Sequence, residues 1–137
     1  MMLTVTELAK QSGAPAHVVR YYTRIGLIEP ASQRENGYRL FKPDEVGRLR
    51  FIRLAKHLGF TLSEISKITQ HADNGQSPCP DVRQIIKERI VENRKKIDDM
   101  LKLQERMEEA LDLWKEMPDG VPEGQHVCHL IETFQED

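Results

Sequence analysis

Apolar residues recur at helical spacing through most of the chain. Val5, Leu8 and Ala9 share one face of a short predicted helix, about 5–11. Thr4-Val5-Thr6-Glu7 has the Ser/Thr-x-x-Glu form of a capping box at its start. Ser12-Gly13-Ala14 ends it, and Pro15 suits a first helical position, so a second helix is expected over about 15–24. Two short helices joined by a tight glycine-containing turn make a helix-turn-helix. Gly26 to Pro30 then reads as an exit loop. The stretch 31–41 reads as a small hairpin turned at Asn36-Gly37, a pair suited to the positive φ angles of a two-residue turn.

Pro43-Asp44-Glu45 opens a third predicted helix, to about Leu58, with Val46, Leu49, Ile52, Arg53 and Ala55/Lys56 in a helical period and Arg48, Arg50, Arg53 and Lys56 on the wet side. Gly59-Phe60 breaks it. Thr61-Leu62-Ser63-Glu64 is a second capping box, opening a helix to about Gln70. The residues 71–80 (HADNGQSPCP) have linker composition.

From Asp81 to about Met117 the pattern predicts a single helix of unusual length. Ile86, Ile90, Asn93, Ile97, Met100, Gln104, Met107, Leu111 and Trp114 alternate by fours and threes, the spacing of a coiled-coil seam. Such a stripe needs a partner helix. The chain has no second long helix, so the simplest partner is another copy of itself, giving a homodimer. A loop follows over 118–124, then a short terminal helix over about 127–134 and a frayed tail at Gln135-Glu136-Asp137. The expected organisation is therefore 1–70, a linker at 71–80, a dimerisation helix at 81–117, and a loop with a terminal helix at 118–137.

Composition and charge sharpen this picture. The 137 residues are 39% hydrophobic and 31% charged, which suits a soluble, helix-rich chain rather than a disordered one. No apolar run is long enough to span a membrane, and the N-terminus lacks signal-peptide order, so a cytoplasmic location is expected. The net charge of −2 conceals an asymmetry. Residues 1–70 hold 11 Lys/Arg against 6 Asp/Glu, a balance of +5, and residues 71–137 hold 9 against 16, a balance of −7. A basic half suggests a polyanionic partner, nucleic acid first.

Arg20-Tyr21-Tyr22-Thr23-Arg24-Ile25-Gly26-Leu27-Ile28-Glu29-Pro30, followed by Gly37-Tyr38-Arg39-Leu40-Phe41, resembles the MerR family of bacterial transcription regulators, most closely its metal-responsive branch. The resemblance is dense over residues 3–70. Thr23 stands where the family usually has Glu. The resemblance implies a mostly α fold: a winged helix-turn-helix DNA-binding domain followed by a long antiparallel coiled-coil dimerisation helix. It implies a dimer on an inverted repeat in double-stranded promoter DNA, bending and untwisting an overlong spacer so that RNA polymerase engages both promoter elements.

In that setting the second helix reads the major groove, with His17 and Arg20 one turn apart on its outer face. Arg20 offers a planar fork to a guanine edge or a phosphate. Val19 and Ile25 are expected in the core. Of Tyr21 and Tyr22, one is expected to meet backbone phosphate and the other to pack inward. The resemblance places Tyr38 and Arg39 on phosphates beside the groove, and Arg34 and Lys42 join them as candidate contacts.

Two thiols carry the candidate effector chemistry. Pro80 suits a first helical position, which makes Cys79 the expected N-cap of the long helix, where the helix dipole suits a metal ligand or a reactive thiol. Cys128 lies in His126-Val127-Cys128-His129. The resemblance implies that Cys79 of one protomer meets loop ligands of the other, and that Cys at position 79 goes with divalent metals. The further loop Cys of such sensors is absent from Trp114-Lys115-Glu116-Met117-Pro118. A zinc site, the first expectation, would therefore draw on His126 or His129. His126 and His129 share a face only if that stretch is helical. Two other effectors fit the residues: an oxidant or electrophile acting on the thiols, or an apolar molecule held by Met107, Trp114, Met117 and Phe134. No nucleophile motif or glycine-rich phosphate loop supports an enzyme. A coiled-coil interaction module without DNA would explain the long helix but not the Tyr38-Arg39 hairpin or the basic half.

Overall fold

The computed structural model describes residues 1–33 and 35–135. The elements are α1 (Val5–Ser12), α2 (Ala16–Arg24), β1 (Ser32–Gln33), β2 (Arg39–Leu40), α3 (Asp44–His57), α4 (Leu62–Asp73), α5 (Cys79–Trp114) and α6 (His129–Glu132). The fold is mostly helical, as expected. It divides into two compact units, Met1–Val82 and Arg83–Asp137.

The first unit is built on a core of Leu8, Val19, Ile28, Phe41, Leu49, Ile52 and Ile65, all fully buried. Both predicted capping boxes form. Glu7 N–H donates to Thr4 Oγ1 while Thr4 N–H donates to Glu7 Oε1, and Thr61 and Glu64 repeat the exchange at the start of α4. Each satisfies two backbone donors that a bare helix end would leave open. Gly13 ends α1 with φ +76°, and its N–H returns to Ala9 O. This left-handed residue lets α2 start at once and makes the helix-turn-helix.

The hairpin departs from a two-residue turn. Ser32 pairs with Leu40 and Gln33 with Arg39, so the connection between the strands is five residues long. Gly37 takes positive φ, but Asn36 does not. Its side chain instead accepts a hydrogen bond from Tyr38 N–H at 3.1 Å. This Asx turn offers the backbone an alternative to the tight turn. A third partner, not foreseen from the pattern, extends the hairpin: Leu3 N–H donates to Phe41 O and Phe41 N–H to Leu3 O, both at 2.7 Å. Ile25, expected in the core, is instead 43% exposed, because α2 ends at Arg24 and the chain turns at Gly26 (φ +83°) to bury Leu27 and Ile28.

Arg48 is not a free surface cation. Its Nη2 lies 2.6 Å from Asp73 Oδ1 and ties α3 to the last turn of α4, which runs to Asp73, past the expected end at Gln70. Glu45 Oε2 is shielded from solvent, and Arg48 Nε lies 4.0 Å away, beyond hydrogen-bond range. Burial pushes the Glu45 carboxyl up from its ordinary value, and the Arg48 charge only partly opposes this. A carboxyl raised in the folded state holds its proton more tightly there than when unfolded, so its contribution to stability declines as pH rises through the folded value. Glu45→Gln is therefore expected to raise the melting temperature at pH 7, with the difference closing as the pH falls below the usual carboxylate range. A lower melting temperature at pH 7 would contradict this account.

The helix predicted over 81–117 belongs to α5, which starts two residues earlier, within the first unit, and ends at Trp114. Cys79 is thus its first residue rather than its N-cap, and Val82 N–H returns to Pro78 O. Ile90, Ile97, Met100, Met107 and Leu111 of the seam are each more than half exposed. The terminal helix is much shorter than the 127–134 expected. Glu132 Oε1 accepts from Val127 N–H at 3.1 Å, holding that residue outside the helix. Cys128 is extended (φ −146°, ψ 109°) and caps α6.

Candidate functional site

On α2, Val19 is fully buried and fixes the rotation of the helix. His17, Arg20 and Tyr21 then face outward and are exposed, with Tyr22 half-buried. Tyr21 and Tyr22 are adjacent but do not separate cleanly onto two faces: their ring centroids lie 5.9 Å apart at 46°. The Arg24 guanidinium carbon sits 5.3 Å from the Tyr21 ring centroid, a cation–π contact that holds this ring on the outer side. Thr23, the departure from the family pattern, turns its hydroxyl back to Val19 O at 2.7 Å and so stays within the helix.

The connection between β1 and β2 brings the hairpin to the same place. Tyr38 is 56% exposed and Arg39 half-buried. Arg20, Gly37, Tyr38 and Arg39, with Thr4, Val5 and Thr6 at the start of α1, line one hollow of about 300 Å³. Two arginines and a tyrosine therefore line one concave surface, an arrangement suited to phosphate oxygens. Lys42 is exposed outside this hollow, as is His17. Arg34 lies outside the described residues.

Sequence reasoning did not single out a second basic surface. Ser12, Tyr22, Arg50, Arg53, Leu54, Lys56 and His57 line a larger hollow of about 740 Å³. The pattern placed Arg50, Arg53 and Lys56 on the wet side of α3. No local signal showed that this side meets the end of α1, where Arg53 Nη1 donates to Ser12 O at 2.9 Å and Arg50 Nη2 to Gln11 O at 3.3 Å.

In the first unit, Cys79 is exposed, and its N–H donates to Ser77 Oγ at 3.3 Å. In the second, Cys128 is half-buried. Cys128, His126 and His129 line a hollow of about 410 Å³ with Asp119, Gly120, Val121 and Pro122. The His129 ring packs onto Gly120 so closely that a Cβ there would collide with it. His126 precedes α6 in a tight turn with Glu123, and its Nδ1 lies 3.7 Å from Glu132 Oε2. His126 and His129 therefore do not share a helical face, although they border the same hollow. Among the described residues of one chain, no three His, Cys, Asp or Glu side chains are grouped to hold a metal. Met107, Trp114 and Phe134 line a separate apolar hollow of about 270 Å³ with Leu103, Arg106, Ala110 and Ile131; Met117 does not join them.

Comparison with known proteins gives a consistent result. The family described as "MerR HTH family regulatory protein" matches residues 3–72, and that described as "MerR, DNA binding" matches residues 46–110. The chain is 34% identical over 134 residues to the mercuric resistance operon regulatory protein of Bacillus cereus, covering 98% of each. It is 35% identical over 95 residues to heavy metal-dependent transcription regulator 2 of Rhizobium meliloti (strain 1021), covering 69% of this chain and 65% of that protein. The crystal structure of the transcription regulator PbrR691 from Ralstonia metallidurans CH34 in complex with lead(II) superimposes with a TM-score of 0.76 at 24% identity, over 98% of this chain and all of that one.

Proposed function

Because the chain belongs to the MerR family and is one of its DNA-binding transcription regulators, we propose that it works as a homodimer on an inverted-repeat promoter element and switches transcription when a divalent metal binds. One observation carries the DNA half of this reading: Arg20, Tyr38, Arg39 and the start of α1 share a single hollow. Arg20 reads a base edge or a phosphate from α2, while Tyr38 and Arg39 hold the neighbouring backbone from the hairpin. His17 and Lys42, both exposed, supply flanking contacts, and Arg34 joins them as a further candidate.

The bare seam of α5 supports the dimer. Five large apolar side chains at heptad spacing face solvent, and a second α5 would cover them. Two identical readers related by a twofold axis require an inverted repeat. Deforming the DNA between the half-sites costs on the order of a few kcal/mol. An effector that prefers one protein conformation supplies that difference and lets RNA polymerase engage the promoter.

The donor chemistry fits a borderline to soft divalent cation, zinc first: two thiols and two imidazoles. Cys128, His126 and His129 already border one hollow, with Glu132 Oε2 3.7 Å from His126 Nδ1. One chain alone groups too few donors, so Cys79 of a second copy completes the set. When bound, the metal supplies a cross-link whose formation favours one arrangement of the dimer. The mercuric resistance regulator and the heavy metal-dependent regulator among the relatives support this effector class. A second reading, an apolar effector, rests on the hollow lined by Met107, Trp114 and Phe134.

DNA binding is tested by salt titration. Affinity should fall steeply and linearly on a log–log plot as counterions are released from several phosphates. A flat response would remove the DNA reading. A metal titration of the reduced protein, followed by thiolate absorption, tests the effector. No uptake of metal, with a change in Trp114 fluorescence on adding an apolar ligand, would select the second reading.

A further inference from the structure

We infer that Arg53 is a positioning residue for DNA recognition: from α3 it clamps the helix-turn-helix turn and thereby fixes where α2 points. This rests on the DNA-binding reading above. Arg53 lines a wide basic hollow and would ordinarily be assigned to phosphate. Its geometry says otherwise. Nη1 donates to Ser12 O at 2.9 Å, the last carbonyl of α1. Arg50 reaches the preceding carbonyl, Gln11 O, from one turn earlier on α3. These are the carbonyls a helix C-terminus leaves open, at the negative end of its dipole, where a cation is favoured.

The turn is shaped to receive the guanidinium. A Cβ on Gly13 would lie 2.8 Å from Arg53 Nη1, so a side chain there would push the guanidinium off Ser12 O, while the φ of +76° favours glycine independently. On the inner side, the Ser12 side chain is buried; its hydroxyl donates to Ala9 O at 3.3 Å and accepts from Ala14 N–H at 3.3 Å. The turn is thus held from within by Ser12 and from outside by Arg53. Two residues after Ala14, α2 begins and carries Arg20 to the DNA-facing hollow. A small change in the turn angle is magnified along α2, and a reader displaced by an ångström misses its base edges while keeping nonspecific attraction.

The experiment uses the full-length dimer. Its probe is the duplex that the unaltered protein enriches from a randomised pool, with a shuffled duplex as the nonspecific reference. Arg53→Met keeps the aliphatic stem and removes the donor. About a tenfold loss on the enriched duplex is expected, with much less on the shuffled one and an unchanged salt slope. Arg53→Lys, which still offers one donor to Ser12 O, should recover part of the loss. Gly13→Ala should cost less on the Arg53→Met background than on the parent, since the clash is gone. That coupling can be read from thermal melts even if a variant folds poorly. A salt slope reduced by about one, with equal losses on both duplexes, would make Arg53 a phosphate contact and overturn the inference. Additive costs of the Gly13 and Arg53 changes would overturn it too. Failure to enrich any duplex would defeat the DNA-binding reading itself, and the inference with it.

Discussion

Changing Arg20 and Arg39 together to alanine is expected to lower promoter affinity at least about a hundredfold while leaving the dimer intact. The size follows from what each side chain offers. A bidentate guanidinium contact to a base is worth about 1–3 kcal/mol, and each protomer loses two cations from one hollow. The fold should tolerate the change. Arg20 is exposed, and the ladder partner of Arg39, Gln33, is held through the backbone, which alanine retains. The salt slope should also become shallower by close to one for every phosphate that the variant no longer neutralises. Anisotropy titrations at several salt concentrations, beside sedimentation of the free protein, separate the outcomes. Unchanged binding by the double variant would mean that residues other than Arg20 and Arg39 carry the promoter contact.

The second large effect is expected at the thiols. Cys79→Ser should weaken divalent metal binding by at least about a hundredfold and abolish the transcriptional response, with DNA binding retained. A four-ligand zinc site is worth about 10–16 kcal/mol, so one missing thiolate removes several kcal/mol. Cys79 is exposed at the first turn of α5, so its loss leaves no cavity. Cys128→Ser should weaken binding in the same way from the other half of the site. Equilibrium competition with a chromophoric chelator gives the affinities. If the Cys79 variant binds metal as the parent does, Cys79 is not a ligand.

Much of the fold is legible in the sequence. Thr4/Glu7 and Thr61/Glu64 announce helix starts because the capping box is local, spanning four residues and needing nothing else. The period-3.6 pattern placed Leu49 and Ile52 inward, and both are fully buried. What failed was set by tertiary or competing local bonds. Asn36-Gly37 signals a tight turn, but the Asn36 side chain took Tyr38 N–H and a longer loop resulted. The terminal helix lost its first residues to the Glu132–Val127 bond. The roles of Arg48, Arg50 and Arg53 were hidden because charge pattern shows which side of α3 is wet, not that its partners are Asp73, Gln11 O and Ser12 O. The convergence of Arg20 and Arg39 on one hollow was equally out of reach, since 18 intervening residues carry no distance information.

The pairing of Leu3 with Phe41 has a consequence for how the hairpin opens. With only two register pairs of its own, a hairpin of this kind would melt alone and exchange its amides quickly. Here its far end is stitched to Leu3, the residue before the Thr4 cap, so the Phe41 amide is expected to stay protected for as long as that bridge holds. The hairpin tip and its base are therefore expected to open separately, with residues 35–37 exchanging their amides faster than Leu3 and Phe41. If the hairpin meets DNA as proposed, its tip is expected to adapt to the duplex without loosening the helix-turn-helix behind it.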